Sequence, residues 1–434
     1  MSLRSNALLL VLATGVLGIL GQWGDARLAG VWRLPAALLL LGLAYEGWRA
    51  ARSEPQLTVA APGQWLLGRA TAVQLQLRLR QGLRRDALIE LALTAPLEFT
   101  MERAVRTLVV PHGRVGTLEL SASPRRLGEY AWPAMPARLA GVLGLAWWPV
   151  RLRDGRRIRV VPDALGEAER APGAAARGSQ SMLRLGSGVE VLQLREYRPA
   201  DAPRDIDWKA SARLQRLTSR DYAEEQHLEI VLAIDIGRAS ALAAGPGDRL
   251  SLYANVAARF AQRALLLEDS VGLLLFAERP LLAIAPARGS STLLRLRAGL
   301  AGMQVQAADG NALLAAVGIR SLLRQRGLVV LLTDLDDPGS IPELSAAARL
   351  LLPKHLPFMA GVRSSEAVAL ARSPVDDESG AWRALAAQEY VGAVERNVRA
   401  LRALGAAAVL SEPATLERAV MHSYLQFRQR RRVA

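Results

Sequence analysis

Three patterns of hydrophobic and polar residues follow one another along this chain of 434 residues. Residues 1–52 hold two long apolar stretches, and residues 53–162 alternate apolar and polar positions. Residues 227–434 contain continuous apolar runs separated by stretches with helical periodicity. The patterns predict a multidomain protein: an N-terminal transmembrane helical hairpin, an antiparallel β-sandwich, and then an α/β doubly wound domain.

The two N-terminal apolar stretches are the basis of the membrane prediction. Ser5–Gly24 carries no charge over twenty residues, which is the length of a membrane-spanning helix. Leu28–Tyr45 follows, with Arg33 near enough to its start to reach the interface. A cleaved signal peptide is the alternative for the first stretch, but no cleavage pattern follows it. We therefore expect a two-pass protein in contact with membrane lipid.

Short alternating runs dominate residues 53–162. The run Val73–Arg80, VQLQLRLR, alternates almost without interruption, and further runs follow between glycines and prolines. Period-two runs at this spacing predict the antiparallel sandwich. Residues 163–181, DALGEAERAPGAAARGSQS, have no periodicity and predict a linker.

Buried strands that alternate with helices predict a mainly parallel sheet in residues 227–434. Strand-like runs include His227–Asp235, Val271–Ala277 and Leu328–Asp334, and helical stretches separate most of them. The run PLLAIAP follows VGLLLFA after only two residues, so one strand is expected to be antiparallel.

Charge is most concentrated in residues 182–226, within LREYRPADAPRDIDWKASARLQRLTSRDYA at Leu194–Ala223. Buried charges must be paired, so mixed charge with embedded aromatic residues predicts a hydrogen-bonded network. The alternative role for this segment is a docking surface. The residues expected to serve either role are Arg195, Glu196, Tyr197, Asp201, Arg204, Asp207, Trp208 and Arg213.

The order LREY-x-x-x-D-x-x-R-x-I-D-W-K-x-S-A-R in that segment resembles the hallmark of bacterial proteins grouped as domain of unknown function 58. The region after it, with VLAIDIGRAS, DSVGLLLFAE and LVVLLTDLDD, resembles a von Willebrand factor A domain. The first resemblance implies a MoxR-type AAA+ ATPase as partner, in complex assembly or remodelling. The resulting hypothesis is a membrane-anchored, non-catalytic adaptor of the bacterial inner membrane, with its C-terminal domain in the cytoplasm.

Two carboxylates raise a metal-binding alternative. Asp235 and Asp334 each end a predicted strand, and parallel strands place such ends at one crevice, where carboxylates suit Mg²⁺. The von Willebrand A resemblance implies serines where Gly237 and Ala239 stand here, and Arg238 adds a cation. We favour helix capping or arginine pairing for both carboxylates and expect no cofactor. A metal-dependent, adhesion-type module remains the alternative.

Composition and missing motifs narrow the function further. The net charge is +15, but it comes from arginines spread along the chain, so we expect no nucleic-acid partner. The absence of cysteine excludes disulfides and thiolate catalysis. No phosphate loop, nucleophile elbow or paired-histidine motif occurs, so we expect no enzyme, and an uncharacterised hydrolase is the least favoured alternative.

Overall fold

The computed structural model of the protein divides into two compact units, Met1–Val161 and Pro162–Ala434. The residues that it describes are 2–23, 30–53, 55–79, 86–112, 114–164, 183–186, 190–199, 201–225, 227–374 and 377–430. Of the predicted linker 163–181, only Asp163 and Ala164 lie within the described residues.

The first unit combines two helices with a set of short strands. Its helices are α1 (Ser5–Trp23) and α2 (Arg33–Arg52). The strands of its described residues are β1 (Ser2–Leu3), β2 (Pro55–Ala60), β3 (Gln64–Leu66), β4 (Thr71–Leu79), β5 (Ala87–Ala92), β6 (Phe99–Met101), β7 (Val105–Val110), β8 (Gly116–Pro124), β9 (Gly128–Ala131), β10 (Met135–Ala140), β11 (Ala146–Leu152) and β12 (Arg157–Val161). They form sheets in the orders β1-β11-β10-β5-β7, β2-β4-β8-β6 and β3-β12-β9.

One hydrophobic core joins these three sheets. In β4, the period-two pattern buries Val73, Leu75 and Leu77, because successive side chains point to opposite faces of a strand. Trp65 of β3 is buried in the same core and packs edge-on against Phe99 of β6, with 5.3 Å between the ring centroids. Alternation in the sequence therefore places the large apolar side chains between the sheets.

The predicted transmembrane hairpin is wrong. Within the residues that the structure describes, no helix is long and apolar enough to cross a membrane. The two-pass inner-membrane location and the membrane anchor of the adaptor hypothesis rested on this hairpin, and they are corrected with it. The prediction rested on the uncharged runs and on Arg33 reaching the interface, whereas α2 also contains Glu46, Arg49 and Arg52.

One of these charged residues, Glu46, is buried and hydrogen-bonded to backbone N–H groups. Its side chain is 1% exposed, and its carboxylate accepts backbone N–H groups from Leu143, Leu145 and Ala146 at 2.7, 3.1 and 3.0 Å. Gly141 lies so close to this carboxylate that any Cβ there would overlap it. Hydrogen bonds to the charged group replace its lost water, which makes the burial tolerable. Glu46 therefore fixes the turn between β10 and β11.

The second unit begins with a small three-stranded sheet and continues into a larger α/β part. Its strands are β13 (Leu183–Gly186), β14 (Glu190–Glu196), β15 (Thr218–Glu225), β16 (Glu229–Asp235), β17 (Ala243–Ala244), β18 (Gly247–Asp248), β19 (Ser270–Phe276), β20 (Pro280–Ala287), β21 (Leu328–Leu332), β22 (Leu356–Val362) and β23 (Ala407–Ser411). Its helices are α3 (Trp208–Leu214), α4 (Arg249–Leu266), α5 (Ser290–Ala301), α6 (Ala312–Leu322), α7 (Ile341–Leu351), α8 (Ser365–Arg372), α9 (Glu378–Ala403) and α10 (Leu416–Arg430).

A six-stranded sheet in the order β20-β19-β16-β21-β22-β23 forms the centre of the α/β part. Strand β20 is antiparallel to β19, and the other neighbours are parallel. Helices α6, α7 and α9 share one core with this sheet, which includes Val231, Leu331 and Met359. Helix α4 contacts α5 and α10 in a second group. The parallel strands bring Asp235 and the residues after β21 to the same edge of the sheet.

Candidate functional site

The charged segment forms a hairpin whose long connection is folded. Strands β14 and β15 pair antiparallel, and the connection contains a 3-10 turn (Pro203–Asp205) and helix α3. An isolated bridge joins Ile206 to Ser219, and the N–H of Tyr197 donates to the carbonyl of Leu217. These bonds tie the connection to the strands that flank it.

A bidentate ion pair holds the first half of this connection. The two terminal guanidinium nitrogens of Arg195 donate to the two carboxylate oxygens of Asp201 at 2.7 and 2.6 Å. The N–H of Arg198 donates to the same carboxylate at 2.7 Å. The Arg195 hydrogen bonds, together with the Arg198 N–H, lower the pKa of Asp201 from its ordinary value to about 2. Asp201 therefore stays ionised and joins β14 to the turn.

Asp207 holds the second half. It is the N-cap of α3, and its carboxylate accepts the N–H of Ala210 and the Nε–H of Arg220, each at 3.0 Å. The hydrogen bond from Arg220 is the main reason that the pKa of Asp207 is lowered. One turn further along α3, the hydroxyl of Ser211 accepts the N–H of Thr218 at 2.9 Å. Helix α3 is thus fastened to β15 through its first turn.

The outward surface of α3 has a different character. Trp208 is 67% exposed at the first position of the helix, and Lys209, Arg213 and Leu214 are also exposed. Residues Lys209 and Arg213 are four positions apart, so they lie on one side of the helix. We call Trp208, Lys209, Arg213 and Leu214 the α3 face. It combines an exposed indole with cations on a scaffold that is held in place beneath it.

The eight residues expected from the sequence therefore divide into three sets. Arg195, Tyr197 and Asp201 come together, since the hydroxyl of Tyr197 donates to the carbonyl of Asp201 at 3.4 Å. Asp207 makes the separate contact with Arg220. The remaining four expected residues are exposed at the surface: Glu196, Arg204, Trp208 and Arg213.

The sheet edge holds Asp235, which ends β16 and is almost fully buried. Its carboxylate accepts the hydroxyl of Thr333 at 2.9 Å and the N–H of Gly237 at 2.8 Å. Gly310 packs directly over the carboxylate, with no room for a side chain. Burial raises the pKa of Asp235 above its ordinary value, and the two hydrogen bonds oppose that shift.

Asp334 is held by an arginine that the sequence analysis did not single out. Arg249, the first residue of α4, is 5% exposed and contacts the carboxylate of Asp334 at 2.6 Å and that of Asp336 at 2.9 Å. We call Asp235, Arg249, Asp334 and Asp336 the sheet-edge cluster. The signal that marks it in the sequence is the run TDLDD after an apolar strand, because closely spaced carboxylates at a strand end require a counter-charge.

These residues do not fit a magnesium ion. The carboxylate of Asp334 forms an ion pair with the guanidinium of Arg249, and Gly237 and Ala239 supply no hydroxyl ligands. Within the described part of the chain, no group of three or more histidine, aspartate or glutamate side chains is arranged to hold a metal ion. We therefore derive no chemistry through a metal at this edge.

Comparison with known proteins connects the chain to one family. Residues 193–358 match the family described as "Protein of unknown function DUF58", which confirms the resemblance drawn from the segment around Trp208. The von Willebrand A resemblance is not confirmed by these comparisons. No curated protein matches the chain.

Solved structures give weaker likenesses. The conserved hypothetical protein BatB from Bacteroides thetaiotaomicron is 15% identical, with 46% of this chain and 99% of that chain covered and a TM-score of 0.31. An uncharacterized membrane spanning protein from Vibrio fischeri is 14% identical, with 46% and 98% covered and a TM-score of 0.19. At these scores the likenesses carry no argument about fold or activity.

Proposed function

Because residues 193–358 carry the DUF58 match, a family without an assigned activity, we propose a role from the geometry of that region. The protein is a non-catalytic adaptor that binds another polypeptide through the α3 face. The observation that carries this proposal is the exposure of Trp208 on a helix that is fixed from below.

An exposed indole on a rigid support is well placed to anchor a partner. Tryptophan and arginine are the residues that most often dominate binding energy at protein interfaces. Here Asp207 and Ser211 hold α3 through polar contacts, so the helix does not need Trp208 for its own attachment. The side chain is therefore already positioned for binding, which reduces the entropy lost on association.

The partner proposed for this face is a MoxR-type AAA+ ATPase, and the support for that choice is the family resemblance. The α3 face adds a chemical requirement, because Lys209 and Arg213 are exposed there without an acidic residue among its members. A complementary partner surface presents an apolar recess for the indole with carboxylates around it.

The test is a binding measurement between the full chain and a purified MoxR-type ATPase from the same bacterium, with and without nucleotide. We expect Trp208→Ala to weaken binding by about 30-fold, the typical effect of truncating a central interface residue. Trp382→Ala is the matched control, because Trp382 of α9 is 65% exposed and lies outside the α3 face.

Two results would contradict the proposal. The first is an ATPase that binds neither in the presence nor in the absence of nucleotide. The second is equal weakening by Trp208→Ala and Trp382→Ala, which would mean that general surface hydrophobicity governs the interaction.

A further inference from the structure

A pocket of about 270 Å³ lies in the second unit and shares no lining residue with the α3 face or the sheet-edge cluster. It is formed where β22 ends, between the last turns of α9 and strand β23. Its lining consists of three arginines, one carboxylate and two apolar side chains: Arg363, Arg399, Arg402, Glu395, Val398 and Leu410. We call it the arginine pocket.

The backbone and the Nε groups hold these arginines in position. Arg363 follows β22 directly, and its N–H donates to the carbonyl of Ser411 at 2.8 Å. The Nε–H of Arg402 donates to the carbonyl of Ala408 at 2.9 Å, and that of Arg399 to the carbonyl of Glu395 at 3.3 Å. Anchoring a guanidinium through Nε leaves its two terminal amino groups able to bind something else.

Within the described residues, no hydrogen bond or ion pair engages the guanidinium of Arg363 or the terminal nitrogens of Arg399 and Arg402. Glu395 likewise makes no ion pair with them in that part of the chain. Three guanidinium groups that share one cavity repel each other, so the arrangement favours an anion between them.

The charge of the lining specifies the kind of anion. Three arginines and Glu395 give a net charge of about +2, and a phosphate monoester carries about −1.5 to −2 at pH 7. The planar fork of a guanidinium matches phosphate oxygens in bidentate geometry. Val398 and Leu410 supply an apolar wall, and the volume exceeds that of a phosphate group alone.

We propose that the arginine pocket binds a small phosphate monoester, with its phosphoryl group among Arg363, Arg399 and Arg402 and its organic part against Val398 and Leu410. This assignment does not depend on the adaptor function or on the α3 face. It gives the protein a small-molecule site on the face of the sheet that α9 covers.

Calorimetric titration of the full chain with phenyl phosphate, inorganic phosphate and benzoate tests the proposal. We expect saturable binding of phenyl phosphate, weaker binding of phosphate and the weakest binding of benzoate. Arg399→Gln is expected to weaken phenyl phosphate binding at least tenfold, because it removes a charge-assisted contact. Glu395→Gln is expected to strengthen it, since it removes the one negative charge in the lining.

Arg396→Gln is the matched control, because Arg396 lies on the same helix and carries the same charge but does not line the pocket. Arg363→Gln repeats the test from a different element if Arg399→Gln lowers the unfolding midpoint. Equal weakening by Arg396→Gln and Arg399→Gln would overturn the proposal, because it would show attraction to overall charge. Absence of saturable binding, or benzoate binding as tightly as phenyl phosphate, would overturn it too.

Discussion

The hairpin around α3 and the sheet-edge cluster are built from the same two side chains, arginine and aspartate, and use them in opposite ways. In the hairpin, Arg195 and Asp201 form their pair near the surface and fix a turn whose outer side stays open. In the cluster, Arg249 is enclosed with Asp334 and Asp336 and presents almost nothing to solvent. The first region leaves an exposed helix, on which the proposed binding rests, whereas the second encloses its charges within the fold.

The pKa values of one aspartate in each region shift in opposite directions, because Asp201 lies near the surface and Asp235 is buried. Asp201 has a pKa lowered to about 2, because an arginine and a backbone N–H stabilise its charged form. Asp235 has a raised pKa, because burial penalises its charge more than two hydrogen bonds offset it. For Asp201, near the surface, the neighbouring hydrogen-bond donors determine the direction of the pKa shift. For the buried Asp235, the loss of water determines it.

The largest effect is expected from Arg249→Met. This change leaves the carboxylates of Asp334 and Asp336 buried beside each other without a counter-charge. Breaking a buried ion pair by removing one partner costs about 3–5 kcal/mol. We expect a loss of that size in the free energy of unfolding, measured by urea titration of the full chain.

The control for this prediction is Arg238→Met. Arg238 also pairs with an aspartate, Asp309, but both side chains are exposed and solvent screens their interaction. We expect little change in stability from this variant. Equal losses from Arg238→Met and Arg249→Met would mean that burial does not distinguish the two pairs.

A smaller, pH-dependent effect is expected from Asp235→Asn. The folded pKa of Asp235 is raised, so the stability that its protonated form contributes is present at low pH and is lost as pH rises through the folded pKa. Asparagine mimics the protonated acid and can keep partners at Gly237 and Thr333. We expect the variant to match the wild type at low pH and to exceed its stability at pH 7.

Urea titrations at several pH values between 4 and about 7 measure this difference. A stability difference that is constant over the range would show that Asp235 does not titrate differently in the folded and unfolded states. A variant that loses stability most at pH 7 would show that the charged carboxylate is favoured by its surroundings.

The contrast also explains which features the sequence could predict. The alternation in β4 and the continuous apolar run of β16 reflect local rules, so the pattern alone indicates them. The pairing of Arg195 with Asp201 spans only six positions, and the density of charge predicted a hydrogen-bonded network in this segment without naming this pair. Local information was sufficient in these cases.

Contacts between distant segments were not accessible in this way. Arg249 meets Asp336 across 87 positions, and Glu46 meets Leu143 across 97. The sequence indicated that an arginine could pair with Asp334 but could not identify it as Arg249, and it did not show that Glu46 of α2 meets the backbone after β10. The error over the transmembrane hairpin came from assessing an uncharged run without the groups that lie against the neighbouring charged residues in the fold.

A local effect is expected from Asp201→Asn. The lowered pKa of Asp201 means that its charged form contributes stability above its unfolded pKa, and that this contribution is lost as pH falls through about 2. The variant weakens the hydrogen bonds from Arg195 and from the N–H of Arg198. We expect faster hydrogen exchange in residues 195–207 at pH 7, with little change in global unfolding.

Hydrogen exchange of Asp205→Asn provides the comparison for that experiment. Asp205 lies in the same connection, but its nearest ion-pair contact is 3.7 Å from Arg204. Equal acceleration of exchange in both variants would show that the bidentate pair has no special part in holding the turn.

The smallest effect on stability is expected from Trp208→Ala, and this is the most informative result for the comparison. Trp208 is 67% exposed, whereas Asp207 and Ser211 provide the polar contacts that attach α3 to β15. A surface substitution of this kind usually changes the free energy of unfolding by no more than about 0.5 kcal/mol. A loss of several kcal/mol in the free energy of unfolding would instead make Trp208 a packing residue. The α3 hairpin would then be stabilised by burial, as the sheet-edge cluster is. Unchanged stability combined with weakened binding would separate the two roles, because the same indole would then matter to a partner and not to the fold.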